Sequence, residues 1–212
     1  MFESNDESGR DGGDAPKGRQ AAKSEAARKK ILDAIVGLIK EGGYGNATAS
    51  RIAERSGLTW GAVQHHFGDK EQVVGAVTNL AHEKMKVRMA DPKLRTGSLA
   101  DRASMFVDRM WEHYQDDVLL ATLEILLATR GFHEQTPEHW ADRYKREHTA
   151  TMREIFRDAK LTDAKLAELL DFIHCVLTGL TVERVFQRAP RNASRHLQRL
   201  KVSVLGTLLG PA

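Results

Sequence analysis

The chain has 212 residues, of which 41% are hydrophobic, so it can bury an ordinary core and is not predicted to be disordered throughout. No apolar run approaches the roughly 20 residues that a membrane-spanning helix needs, which excludes a transmembrane class. The single cysteine, Cys175, excludes an internal disulfide framework and favours the reducing cytosol, so we expect a cytoplasmic protein with no membrane partner.

The net charge of +3 is unevenly distributed along the chain. Residues 1–16 carry −4, residues 17–70 carry +5 and the remainder carries +2. A basic segment behind an acidic leader is typical of a surface that faces phosphates, but a solvated helix start gives the same distribution. Charge alone leaves both interpretations open.

The first part of the chain divides into an arm and a helix. Residues 1–22 are rich in Gly, Asp, Ser and Lys and have no periodic apolar face, which predicts a disordered arm. From about Ser24 to Glu41 apolar residues recur at helical spacing, and Gly42-Gly43 ends the pattern. We therefore expect one amphipathic helix behind the arm.

Two short helices and a longer one are predicted next. The short ones span about Ala49–Ser56 and Trp60–Phe67, and Gly57-Leu58-Thr59 separates them. The longer helix begins at Asp69, whose side chain can cap it, and Pro92 closes it.

Five further helices are predicted in the rest of the chain, at about residues 98–114, 118–130, 136–159, 163–187 and 193–209. The segment 118–130 is so apolar that we expect it to be buried on most sides. No strand pattern or repeat is present. The sequence predicts an all-α fold of about nine helices, divided into a three-helix head (23–70), a connecting helix (71–92) and a larger helical body (93–212).

The stretch Thr48–Phe67 has the spacing of a helix-turn-helix. Ile52 is placed to pack inward, and Gly57 can supply the left-handed conformation that ends the first helix sharply. Thr59 can cap the second helix, and Val63 can anchor it to the core. The residues of the second helix that then point outward are Thr59, Trp60, Gly61, Gln64 and His65. A helix in this position is expected to enter the major groove of DNA.

This stretch resembles the TetR family of bacterial transcription regulators. The resemblance lies within about residues 25–80 and is carried by Gly43-Tyr44, Thr48, Ile52-Ala53, Ser56-Gly57, Gly61, His66-Phe67 and Asp69-Lys70-Glu71. It implies a head that binds a double-stranded DNA operator, and a body that binds a small-molecule effector and forms a homodimer.

The resemblance also implies roles for single residues. Thr48 and Lys70 look like phosphate contacts, and Arg51 can reach a phosphate or a base edge. Gln64 stands where the family commonly has an aromatic residue, and could pair with an adenine edge. Trp60 stands where a polar or basic residue is common. It could pack on a thymine methyl, or lie partly buried beside the first helix.

The last two predicted helices carry broader apolar stripes than one core requires. A four-helix contact between two protomers would bury the excess. The predicted dimer interface consists of Leu166, Leu170, Ile173, Leu177, Leu180, Leu197, Val204 and Leu208. Such a dimer would place two recognition helices about 34 Å apart, one turn of DNA.

An aromatic and methionine-rich set predicts an effector pocket for a small apolar or amphipathic molecule. Its members are Met105, Met110, Trp111, Tyr114, Phe132, Trp140, Phe156, His174 and Cys175. Such residues also suit an ordinary core, so both interpretations stay open.

No glycine-rich phosphate loop, nucleophile elbow or HExxH spacing is present, so we predict no catalytic residue, cofactor or metal site. The reading that the sequence favours is a repressor that a ligand releases from a palindromic operator. Three alternatives remain: an enzyme, a metal sensor whose histidine ligands are far apart in the chain, and a ligand-independent master regulator or architectural DNA-binding protein.

Overall fold

The computed structural model describes residues 15–130, 140–187 and 192–210, and these residues are mostly helical. The described part contains nine helices: α1 (Ala15–Gly42), α2 (Ala49–Ser56), α3 (Trp60–Phe67), α4 (Lys70–Met89), α5 (Leu99–Tyr114), α6 (Asp117–Thr129), α7 (Trp140–Ile155), α8 (Asp163–Gln187) and α9 (Ala193–Leu209). Short 3-10 turns at Tyr44–Asn46 and Pro92–Arg95 precede α2 and α5. No strand occurs in these ranges, and the prediction of an all-α fold is confirmed.

Helix α1 begins at Ala15, well before the predicted start at Ser24. The prediction that residues 15–22 belong to a disordered arm was therefore wrong. Alanine, lysine, arginine and glutamine dominate this segment and favour helix, and Pro16 lies in the first turn, where a missing N–H costs no hydrogen bond. Because residues 18–26 are exposed, no apolar pattern marks them as helical. Residues 1–14 of the predicted arm lie outside the described residues.

Two predictions about α6 and α7 need correction. Only one side of α6 is buried, through Val118, Ala121, Thr122 and Ile125, whereas Leu127 is 62% exposed. The expectation of burial on most sides was wrong, because the other leucines of α6 are only partly buried: Leu119, Leu120, Leu123 and Leu126. Helix α7 ends at Ile155, earlier than predicted, and its predicted start at Thr136-Pro137 lies outside the described residues.

The head has a core of its own, and α6 completes it. Ile35 and Ile39 of α1, Ile52 of α2, Val63 of α3 and Val77 of α4 belong to this cluster. Val118, Ala121 and Ile125 of α6 belong to the same cluster. The predicted boundary at residue 92 therefore follows the chain but not the packing, since one helix of the body is part of the head core.

The body core lies between α5, α7, α8 and α9, with the end of α4 against it. It contains seven of the eight residues predicted to form the dimer interface, which are Leu166, Leu170, Ile173, Leu177, Leu180, Val204 and Leu208. None of the seven is more than 7% exposed within one protomer. That assignment was wrong, because a side chain that is already buried has no surface left for a partner. Leu197 is half-buried against the same core.

Charged contacts join α1 and α4 to the start of α6. Lys40 of α1 lies 2.7 Å from Asp117. Asp116, which caps α6 by accepting the Val118 N–H at 3.0 Å, also accepts hydrogen bonds from Lys84 at 2.8 Å and Arg88 at 2.7 Å. The helix that links head and body is thereby fixed to α6 by a cluster of three side chains.

Candidate nucleic-acid interface and body cavity

Local backbone geometry and side-chain caps fix the turn between α2 and α3 and the starts of both helices. Gly57 has a φ of +69°, in the left-handed region that glycine enters without strain, and the Leu58 N–H donates to the Ala53 carbonyl at 3.1 Å. The Thr59 hydroxyl caps α3 by accepting the Ala62 N–H at 3.2 Å. Thr48 caps α2 in the same way, accepting the Arg51 N–H at 3.4 Å. Two eight-residue helices are thus joined by three residues with a fixed geometry.

Burial separates the residues of α3 into two sets. Val63 and Phe67 are buried in the head core, 0% and 8% exposed respectively. Thr59, Gly61, Gln64 and His65 are exposed. Trp60 is half-buried and packs against the head core, as the second interpretation of this residue expected. The exposed set supplies hydroxyl, amide and imidazole groups on one surface, which are suited to contact base edges.

The fold itself does not require a glycine at position 61. A Cβ atom built at this residue comes no closer than 4.0 Å to any neighbour, the nearest being the Thr59 hydroxyl, and no strained backbone angle is present. Nothing inside the protein explains a glycine on the exposed side of a helix. Close approach of another molecule to the backbone would explain it.

Arg28 positions α3, and sequence reasoning missed it. Its guanidinium donates to the His66 carbonyl at 2.5 Å and lies 4.2 Å from the centre of the Phe67 ring. The signal was available in the spacing, because Arg28 precedes Ile31 and Ile35 by three and seven residues and so lies on the buried side of α1. This contact fixes the end of the recognition helix to α1.

The predicted phosphate contacts lie at the starts of helices. Thr48 and Arg51 are exposed at the start of α2, and the Arg51 guanidinium donates to the Asn46 side chain. Asn46 in turn donates to the Leu38 carbonyl at 2.7 Å, which ties Arg51 to the turn before α2. Lys70 is the first residue of α4, directly after a capping box formed by Asp69 and Gln72, and its side chain lies outside the described residues. The N-termini of α2 and α4 present backbone N–H groups that favour anions.

A cavity of about 370 Å³ lies in the body between α4, α5, α6, α7 and α8. Most of the surface that lines it is apolar, although many of the lining residues also carry a polar group. The lining residues are Thr78, Ala81, His82, Met85, His113, Tyr114, Leu119, Thr122, Leu123, Leu126, Tyr144, Lys145, His148, Leu170, Asp171 and His174. The volume is near the lower end of the range for small-molecule sites, about 300–1,000 Å³.

Only two of the predicted ligand contacts, Tyr114 and His174, line this cavity. Met110 and Phe156 are fully buried in the body core, and Cys175 is exposed on α8, so these three assignments were wrong. Met105 and Trp111 are half-buried and line a different, shallow depression beside Asp108 and Arg109. Phe132 and the side chain of Trp140 lie outside the described residues.

Four histidines from four helices surround the cavity: His82 of α4, His113 of α5, His148 of α7 and His174 of α8. The rings of His82 and His148 stack with centres 5.5 Å apart, and those of His148 and His174 with centres 5.9 Å apart. Tyr114 forms a hydrogen bond with Nδ1 of His174. Sequence reasoning missed His82 and His148, since neither is in an apolar segment and they meet only through the tertiary fold.

Burial disfavours the charged form of three of these imidazoles, those of His113, His148 and His174. Desolvation, assisted by the nearby Arg88 charge, lowers the pKa of His113 to about 3. Desolvation and the neighbouring His174 and His82 lower the pKa of His148 to about 4. Burial also lowers the pKa of His174 and raises the pKa of Tyr114 to about 12. At neutral pH the imidazoles of His113, His148 and His174 and the phenol of Tyr114 therefore carry no charge.

The described residues contain no group of three or more His, Cys, Asp or Glu side chains arranged to hold a metal ion. No helix within residues 15–130, 140–187 and 192–210 is long and apolar enough to cross a membrane.

A capped helix-turn-helix with an exposed polar recognition helix, packed on a helical body, defines a class of DNA-binding transcription regulators. The family model for bacterial regulatory proteins of the tetR family matches residues 31–77. The repressor AcnR of Corynebacterium glutamicum is 30% identical over 156 residues, which cover 72% of this chain and 79% of that protein. The repressor Rv1474c of Mycobacterium tuberculosis is 28% identical over 183 residues, covering 84% and 93% of the two chains.

Solved structures show the same fold. A putative TetR-family regulator from Mesorhizobium loti superposes with a TM-score of 0.67 at 17% identity, covering 88% of this chain and 96% of the other. A protein whose structure concerns hormone control of antibiotic production in bacteria superposes with a TM-score of 0.65 at 18% identity, over 84% and 94% of the chains. The chain belongs to the TetR family, and it is a DNA-binding transcription regulator.

Proposed function

We propose that the protein is a homodimeric repressor that binds a palindromic operator and is released when a small molecule enters the body cavity. One observation carries this proposal: a single helix, α4, joins the two sites. It begins three residues after the recognition helix ends, and its later turns supply Thr78, Ala81, His82 and Met85 to the cavity wall. Similar relatives are repressors by name, which supports the direction of regulation.

In the proposed complex the head divides its contacts between phosphates and bases. Thr48, Arg51 and Lys70 contact phosphates at the starts of α2 and α4. Thr59, Gln64 and His65 face base edges, Gly61 lets the backbone approach, and the exposed part of Trp60 packs beside them.

The proposed dimer uses the exposed sides of α8 and α9. Large apolar residues lie exposed there, in contrast to the buried leucines: Phe172, Val182, Val185, Phe186, Val202 and Leu209. Phe186 is 80% exposed and Val202 is 65% exposed, which is unfavourable in a monomer and typical of an interface. A Cβ atom built at Gly179 or Gly206 meets no neighbour within 4 Å, so the two helices present small residues where another backbone can approach. Two copies of this pair form a four-helix contact.

The proposed switch acts through α4 and α6 together. A ligand that contacts His82 and Met85 displaces α4, while Leu119, Leu123 and Leu126 on α6 form the opposite wall. Because α6 also completes the head core, movement of either wall changes how the head is held. Release requires the ligand to bind the two states with a difference of about 1–3 kcal/mol.

Selection of bound fragments from genomic DNA, followed by titration of the best fragment at several salt concentrations, tests the operator. We expect one palindromic site bound by a dimer. Lys70→Ala should weaken binding to all sequences and reduce the salt slope by roughly one, whereas Gln64→Ala should relax preference among related sites. If the two variants behave alike, the division between phosphate and base contacts is wrong. Weak, steeply salt-dependent binding without a shared site would instead indicate an architectural protein.

The dimer surface has a separate test. Val202→Asp places a charge on the exposed side of α9 and is expected to leave the protomer folded while reducing the dimer to monomers in sedimentation experiments. Operator affinity should then fall by about a hundredfold or more, because one short recognition helix binds weakly. Val87→Asp is the matched control, since Val87 is 74% exposed and belongs to α4, which is not part of the proposed α8–α9 interface. A Val202→Asp variant that stays dimeric would refute this surface.

A further inference from the structure

We propose that the body cavity takes an uncharged small molecule with an apolar, preferably aromatic, body and a hydroxyl or N–H group that donates to a buried imidazole. This proposal rests on the proposed function in one respect: it takes the cavity to be the effector site.

The charged residues at the cavity already have partners. Lys145 and Asp171 pair with each other at 2.5 Å, and their side chains are 45% and 54% exposed, so they mark the solvent side. Glu147 on α7 accepts a hydrogen bond from His82 at 2.7 Å. Asp116 is shared by Lys84 and Arg88. A charged ligand would lose its hydration without meeting an unpaired opposite charge among the described lining residues.

His82 defines the donor that the ligand must carry. Its Nε2 faces the Glu147 carboxylate, which only accepts hydrogen bonds, so this nitrogen carries the proton. In the neutral ring Nδ1 then bears a lone pair. This Nδ1 is buried and has no hydrogen-bond partner among the described residues, and His82 is only 9% exposed. A hydroxyl or N–H group is what satisfies such an atom.

Two more imidazole nitrogens are unsatisfied on other walls. Nδ1 of His113 on α5 and Nε2 of His148 on α7 are buried and have no partner within residues 15–130, 140–187 and 192–210, and His113 is 6% exposed. Three helices therefore each carry one buried, unpaired imidazole nitrogen on a residue that lines the cavity, and most of the lining surface is apolar. Such a set selects an apolar molecule with few, well-placed polar groups.

The aromatic preference follows from the rings themselves. His82 lies with its ring centre 4.1 Å from that of Tyr144, and His82, His148 and His174 are nearly parallel, with interplanar angles of 25° and 22° between successive rings. A flat aromatic ligand packs well against such rings, whereas a branched aliphatic one does not.

Four probes of one shape test the class: 4-propylphenol, propylbenzene, 4-propylbenzoate and 4-propylbenzylammonium. Calorimetric titration into the purified full-length protein at pH 7, without DNA, gives their affinities. We expect the phenol to bind about fivefold more tightly than propylbenzene, the ratio that one net hydrogen bond gives, and both to bind more tightly than either ion.

Variants connect the preference to the unpaired nitrogens. His82→Phe and His148→Phe keep a ring but remove an unpaired nitrogen, and each should reduce the advantage of the phenol over propylbenzene to about twofold or less. Two variants are used so that the test stands if one of them does not fold. His196→Phe, at an exposed histidine of α9, is the matched control and should keep the advantage.

Three results would overturn the inference. They are tightest binding of the benzoate with proton uptake, tightest binding of the ammonium probe, and no binding of any probe up to its solubility limit. None of these affects operator recognition, which the fragment selection measures independently. Loss of operator selection with retained phenol binding would instead overturn the proposed repressor function.

Discussion

The head and the body use their apolar residues differently. In the helix-turn-helix, Ile52, Val63 and Phe67 are buried and the exposed positions between them are mostly polar, so each side of a short helix has one role. In the body, the apolar residues of a single helix lie in several different environments. Leu177 of α8 lies in the core, Leu170 lines both core and cavity, and Phe186 is exposed on the proposed dimer surface.

The difference comes from the number of neighbours that a helix has. Helices α2 and α3 pack against one layer formed by α1 and α4 and leave the other side open. The 25-residue helix α8 contacts α5, α7 and α9 within the protomer and has a further exposed apolar side. In the head, the apolar stripe of a helix therefore shows which residues are buried and which are free to contact DNA. In the body, the same kind of stripe does not show whether a residue lies in the core, at the cavity or on an exposed surface.

The largest expected effect tests the division within the body. Phe156→Ala removes a ring that is fully buried and packs edge-on against Phe106, with centres 5.4 Å apart. We expect the free energy of unfolding to fall by about 3–5 kcal/mol, as for large core side chains, measured by denaturant unfolding at fixed protein concentration. Leu127→Ala, at a residue that is 62% exposed, should change it by less than about 0.5 kcal/mol. If the Phe156→Ala variant were as stable as wild type and had lost only effector binding, Phe156 would be a ligand contact after all.

The head could be predicted from the sequence because its signals are local. Gly57, the Thr59 cap and the Asp69-Gln72 capping box each act within four residues of chain, and all three are present in the structure. The start of α1 was missed for the opposite reason. Residues 15–22 form a helix through intrinsic propensity, without an apolar stripe that would mark it.

The body site could not be predicted because its signals are not local. His82 and Glu147 are 65 residues apart in the chain and meet at 2.7 Å only when α4 packs on α7. A stripe such as Leu166, Leu170 and Leu177 shows that a helix is amphipathic, but it does not show whether the stripe faces its own core or a second chain. That choice depends on neighbouring helices, which the stripe does not identify.

Helix α6 belongs to the body in the chain but packs in the core of the head. Substitution of Asp116, which joins the start of α6 to α4, tests how this junction is held. Desolvation by itself raises the pKa of this carboxyl, but hydrogen bonds from Lys84 and Arg88 outweigh it and hold the pKa at about 2. The resulting stability is therefore present above about pH 4 and is lost as the pH falls toward 2. Asp116→Asn should lower the free energy of unfolding by about 2 kcal/mol at pH 7, since one pKa unit corresponds to about 1.4 kcal/mol.

Denaturant unfolding at pH 7, 5, 4 and 3 measures the difference between wild type and Asp116→Asn, which should be constant down to about pH 4 and shrink below it. Asp117→Asn is the control next to it, since Asp117 is 44% exposed and pairs with the exposed Lys40, and it should cost less than about 1 kcal/mol. A cost for Asp116→Asn that does not change with pH would mean that the carboxylate charge does not hold α4 to α6.

The smallest expected effect tests whether folding and DNA recognition are separate on α3. Gly61→Ala adds a methyl group where the protein has space, so the free energy of unfolding should rise, by at most about 1 kcal/mol. Operator affinity should fall at least about tenfold, near the lower end of the cost of one lost base contact. Gly75→Ala, at an exposed glycine of α4 with no neighbour within 4 Å, should give the same gain in stability and leave operator affinity unchanged. If both variants bound the operator as well as wild type, close approach of DNA to α3 would not be the reason for a glycine at position 61.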